Sequence, residues 1–175
     1  MPGFRFPQFK EHPAKAEARQ LLAAVTVAAR EPALYGPERV PDTFDGRFQV
    51  LTLCGVLALR RLTAAGGQSE LVQAFTDALF LNFDDGLREG GIGDLSVAKH
   101  MKKIGAAFYG RYGAYEAALS ADDRAAMTAA LARNIWGENT APFAPALADK
   151  AFRIANRLNS VAPAAMASAE HWAAS

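Results

Sequence analysis

The chain has 175 residues, 51% of them hydrophobic, with 19 Lys and Arg against 18 Asp and Glu and a formal charge of +1. That length suits one domain with a core of its own, and the composition excludes a disordered chain. The balanced charge removes any global reason to expect nucleic acid or acidic lipid as a partner.

Cys54 is the one cysteine, so no intrachain disulfide can form and a reducing compartment is expected. The opening MPGFRFPQFKEHP lacks the apolar region of a secretory signal, and its prolines and Glu11 suit a transit peptide poorly. No stretch approaches the roughly 20 apolar residues of a membrane span. The expectation is a bacterial cytoplasmic protein with at most peripheral contact at the inner membrane.

In chain order, residues 1–12 read as an irregular lead in which Phe4, Phe6 and Phe9 can dock on the body, and 13–175 as one helical domain. Pro13 suits a helix first turn, and AKAEARQLLAAVTVAAR continues it. EPALYGPERVPDTFDG is a proline-punctuated loop with room for one short turn. Asp42 or Thr43 is the expected N-cap of a second helix, FQVLTLCGVLALRRL, apolar on nearly every face and therefore central. Gly66 and Gly67 end it. Ser69 caps a third helix over ELVQAFTDALFLNFDD, which Gly90 or Gly91 terminates. A fourth runs from Asp94 towards Leu119, roughly 35–40 Å at 1.5 Å per residue. Ser120, Asp122 and Asp123 open a fifth that ends near Trp136 and Gly137. Pro142 to Asn159 forms a sixth, and the Ala-rich end is a seventh or frays. With no strand-period segment, the fold class is all-α: a bundle-like domain of about six to seven helices.

The fourth helix is the informative one. At 100° per residue, Val97, Met101, Ile104, Phe108, Tyr112, Tyr115 and Leu119 share a narrow arc and form a core stripe. The opposite face carries Lys99, Lys102 and Lys103, then Ala106, Gly110 and Gly113. An interior glycine costs about 1 kcal/mol against alanine, and small residues at this spacing let another backbone approach. Either a helix of the same fold fills that furrow or a partner docks there, with Tyr109 on its rim.

The stretch DDGLREGGIGDLSVAKHMKK, residues 84–103, invites three chemical readings, and each weakens on inspection. Ser96 and Lys99 match S-x-x-K, but the chain lacks the companion S-D-N and K-T-G elements. GGIGDLS precedes a helix N-terminus yet has no P-loop spacing and no preceding strand, and Asp94 stands where an anion would sit. His12, His100 and His171 are far apart, and the adjacent Asp84 and Asp85 point different ways on a helix, so no metal site is indicated. Cys54 reads as a small core residue. No catalytic residue, cofactor or metal is proposed.

Two strings nevertheless resemble a known family. FDDGLREGGIGDLSVAKHMKKIGAAFYGRYGAYEAAL, residues 83–119, is similar to the signature of the ubiquinol–cytochrome c chaperones, assembly factors of the cytochrome bc1 complex. PDTFDGRFQVLTL, residues 41–53, resembles its upstream element, and the resemblance covers about residues 20–140.

The resemblance implies a non-enzymatic chaperone that receives newly made cytochrome b. It also implies, from the mitochondrial relatives, a small accessory protein and association with the ribosome. On that reading Asp84, Asp85, Arg88, Glu89, Gly91, Gly93, Asp94, Lys99, Lys102, Lys103, Tyr109 and Gly110 frame the docking surface, with Phe75, Phe80 and Phe83 as surplus aromatics. The competing reading is an RNA- or ribosome-binding module built on Lys99, Lys102, Lys103 and Arg111, although Arg111 lies well round towards the core side.

Overall fold

The computed structural model describes residues 12–66, 70–90 and 94–173. The expectations for the lead over 1–11, for Gly67 and Ser69, and for Gly91 and Gly93 lie outside the described residues, as does the side chain of Asp94. Among the described residues six α-helices follow one another: α1 (Pro13–Ala29), α2 (Phe44–Ala64), α3 (Glu70–Glu89), α4 (Asp94–Ser120), α5 (Arg124–Leu131) and α6 (Ala144–Asn159). Short 3-10 turns stand at Pro32–Leu34, Pro163–Ala167 and Ala169–His171, and α5 runs on into a π-helical turn, Ala132–Trp136. The described residues contain no strand, so the domain is all-α.

Helix α2 is the hub. Every residue from Thr52 to Leu59 is buried, and α2 packs against α1, α3, α4 and α6. Its start is tightly built: the Thr43 hydroxyl accepts the Gly46 N–H at 3.1 Å. A Cβ on Gly46 would lie 2.0 Å from the Pro41 carbonyl oxygen, so PDTFDG is a cap that only glycine closes. Further along, a Cβ on Gly55 would sit 2.8 Å from a Leu79 methyl, which lets α3 approach α2 closely.

Polar ties fix the other helices to this hub. Arg60 pairs with Glu116 of α4 at 2.8 Å. Arg61 donates to the carbonyls of Leu158 and Val161 at the end of α6, at 2.8 and 2.7 Å. Lys150 of α6 is buried and forms an ion pair with Glu31. A buried charge is tolerated only with such a partner.

The described C-terminal residues, to Ala173, form 3-10 turns and not a seventh α-helix. Their anchors, Met166 and Trp172, are both buried, and the indole N–H donates to the Met166 carbonyl at 2.8 Å. Six residues apart on an α-helix is about 240° of rotation, so both could not face the core. The 3-10 turns bring both inward against α1.

Candidate functional site

Helix α3 runs four residues beyond the expected Asp85 and takes Gly86 into its interior; the Gly90 N–H donates to the Gly86 carbonyl at 3.0 Å. Asp84 is half-buried and pairs one turn along with Arg88 at 2.7 Å, while Asp85 and Glu89 are exposed. The stripe Phe75, Leu79, Phe83 and Leu87 is buried. Phe75 and Phe83 are therefore core residues and not surplus surface aromatics: eight residues apart, they fall on the one buried α3 face, which packs against α1, α2 and α4. Phe80 is half-buried, edge-on to Phe108 at 5.4 Å and stacked with Tyr109 at 6.1 Å.

Along α4 the core stripe is in place. Val97, Phe108, Tyr115 and Leu119 are buried, and Met101, Ile104 and Tyr112 pack against the core. The Tyr115 hydroxyl accepts from Asn134 at 3.0 Å, and burial raises its pKa despite that hydrogen bond. The opposite face is bare. Lys99, Lys102, Lys103, Ala106, Gly110 and Gly113 are all exposed, and a Cβ at Gly110 or Gly113 would meet nothing within 4 Å. No described helix fills the furrow, and no described carboxylate pairs with the three lysines. Arg111 is not part of this patch: it is half-buried and donates to Gln49 of α2 at 2.8 Å.

Four large apolar side chains among the described residues are mainly exposed: Val27 (62%), Phe44 (56%), Leu81 (61%) and Tyr109 (60%). Leu81 and Tyr109 belong to α3 and α4. Phe44 belongs to a feature the sequence reading missed, a cleft of about 480 Å³ where the ends of α1 and α3 meet the start of α2. Phe44, Phe48, Leu51, Phe83 and Ile104 supply its apolar lining, and Arg30, Arg47 and Glu89 its charges. Gly86 and Gly90 leave its α3 wall open, with the Phe44 ring 3.6 Å from where a Gly86 Cβ would be. Arg47 pairs with Asp42 at 2.6 Å and lies over the Tyr35 ring at 5.2 Å. Burial pushes the Tyr35 hydroxyl up to about 12, and the positive charges of Arg47 and Arg30 pull against it.

Ser96 is an exposed residue of the first turn of α4, its carbonyl facing His100 Nδ1 at 2.8 Å. Cys54 is buried, and that burial pushes its thiol up to about 12, far from a reactive thiolate. The described residues contain no cluster of three or more His, Cys, Asp or Glu able to hold a metal. No described helix is long and apolar enough to cross a membrane.

The family model for ubiquinol-cytochrome C chaperone matches residues 38–172. The chain belongs to the ubiquinol–cytochrome c chaperone family. The crystal structure of the Cbp3 homolog from Brucella abortus is similar, at 37% identity and a TM-score of 0.77, over 90% of this chain and 88% of that one. No curated protein matches in sequence. Family membership assigns the chaperone a role in assembly of the cytochrome bc1 complex. The match spans the start of α2, the α3–α4 junction and the 3-10 turns that hold Trp172, so the α4 face and the α2 and α3 walls of the cleft lie within it.

Proposed function

We propose that this chaperone captures newly made cytochrome b and holds it for assembly, acting by reversible docking and catalysing no reaction. The observation that carries this reading is the α4 face. Three lysines without described partners stand beside Ala106, Gly110 and Gly113, none covered by the protein's own described helices. Small residues admit a client backbone, and the lysines set its register and speed its encounter. Asp85 and Glu89, exposed on α3, and Tyr109, stacked on Phe80, complete the surface. Asp84 and Arg88 hold one another and shape the end of α3. Gly91, Gly93 and Asp94 join the two helices in sequence and belong to the proposed docking region.

By family analogy, the ribosome and a small accessory protein are the further partners, on the cytoplasmic side, with membrane contact made through the client. An RNA-binding role would need a broader basic patch. With Arg111 held by Gln49, three lysines remain, too few for a strong electrostatic footprint.

The test is Lys99→Glu with Lys103→Glu, assayed by co-purification of cytochrome b from cells and by thermal unfolding. Capture is expected to fall at least about tenfold, the scale of losing two complementary charges, with the midpoint within about 2 °C of wild type, as befits exposed substitutions. Wild-type capture by the folded double variant would sink the assignment.

A further inference from the structure

We propose that the cleft between α1, α2 and α3 is a second anchor, taking an apolar polypeptide segment that carries a carboxylate among its apolar side chains. This rests on the reading of the protein as a polypeptide chaperone and names the chemistry of what it grips. Volume sets the class: a cavity of about 150 Å³ takes a benzene-sized ring, so about 480 Å³ admits two or three large side chains.

The lining sets the polarity. Phe44, Phe48, Leu51, Phe83 and Ile104 give it an apolar surface, and the exposure of Phe44 leaves an aromatic side chain free to close over an occupant. Charge complementarity selects the carboxylate. Arg30 and Arg47 both line the cleft and both act on Tyr35. Asp42 neutralises Arg47, but Arg30 has no ion pair among the described residues. Val27, three residues before Arg30 and so on a neighbouring part of the α1 surface, extends the apolar rim beside that cation. Glu89 also lines the cleft, from the α3 wall. A client carboxylate is therefore drawn to the α1 side, which gives the bound segment a direction.

The experiment uses the full chain and three fluorescein-labelled apolar peptides of about 16 residues, identical except for a central Glu, Gln or Lys. Fluorescence anisotropy is expected to show the Glu peptide binding best. Arg30→Glu should weaken it at least about tenfold and restore the Lys peptide. Gly86→Leu, which fills the cleft against Phe44 and replaces a helical glycine by a better helix former, should abolish binding of all three with no loss of thermal midpoint. Equal affinity for the three peptides, or indifference to both variants, overturns the proposal. So does tight binding of oleate with no peptide bound, which assigns the cleft to a fatty acid. A concentration-dependent dimer lost on Gly86→Leu assigns it to a second copy and overturns it as well. In a Lys99→Glu, Lys103→Glu background the preference for the Glu peptide and its loss on Arg30→Glu and Gly86→Leu should persist, and their disappearance there would assign the peptide to the α4 face and overturn the proposal. The peptide result and the cytochrome b capture result can therefore fail separately.

Discussion

At the scale of single residues, Cys54 shows how a side chain can look chemical and be structural. It is fully enclosed beside the Lys150–Glu31 pair, and burial outweighs the pull of Lys150, so its thiol rises from an ordinary 9.0 to about 12. The folded chain then keeps a proton that the unfolded chain loses, and stability falls as pH rises from about 9 towards about 12. Tyr35, raised from 10.0 to about 12, adds a second decline that starts one pH unit higher. Cys54→Ala is therefore expected to lose less stability than wild type from about pH 9 towards about 12. A decline from Tyr35 and Tyr115, both raised chiefly by burial, persists in it and is shallower for Tyr35, whose shift Cys54 helps to raise. Urea unfolding at a series of pH values reads this directly. Parallel curves for the two proteins would mean that the thiol titrates alike in both states.

At the scale of elements, α4 has a face that its own fold does not require. A Cβ added at Gly110 or Gly113 would meet nothing within 4 Å, and each glycine costs the helix about 1 kcal/mol relative to alanine. Alanine at both positions should raise stability by about 1–2 kcal/mol while lowering cytochrome b capture, because a methyl group at each position fills the furrow. Calorimetry and co-purification measure the two sides, and unchanged capture by the stabilised variant would make the furrow an idle surface.

Most of this helix was legible in the sequence, because a period of 3.6 over 27 residues separates core from furrow without knowledge of the neighbours. What hid from the sequence was the cleft. Its walls come from residues 26–30, 44–51, 82–90 and 104, and no local pattern says that these four segments meet. One signal was present and was not used: Gly86, directly after the stretch assigned to the third helix, is an interior position of α3 left small beneath Phe44. Phe75 and Phe83 looked like spare aromatics for a similar reason, since a greasy helix does not announce which neighbour will cover it.

At the scale of the whole molecule, the open surfaces depend on a core that is closed from the far end. Trp172 is buried, its indole N–H is satisfied by Met166, and the turns that carry it pack on α1. Arg157 of α6 donates to the carbonyls of Glu170 and Ala173 and pins the same turns. Since α1 contributes Thr26 and Ala29 to the cleft and carries Arg30 at its C-terminal cap, the C-terminal turns hold in place the helix that forms one of its walls. Truncating a buried Trp typically costs about 3–5 kcal/mol, which for a domain of this length lowers the melting midpoint by about 10 °C. Trp172→Ala is expected to show that loss in a thermal scan, and well below its new midpoint it should still capture cytochrome b, because the α4 face lies on a different helix from the one the turns brace. Peptide affinity for the cleft should suffer more than capture at α4, since only the cleft has a wall in α1. Equal damage to both would show that the two surfaces unfold as one unit, and a midpoint shift under about 2 °C would place the C-terminal turns outside the cooperative core.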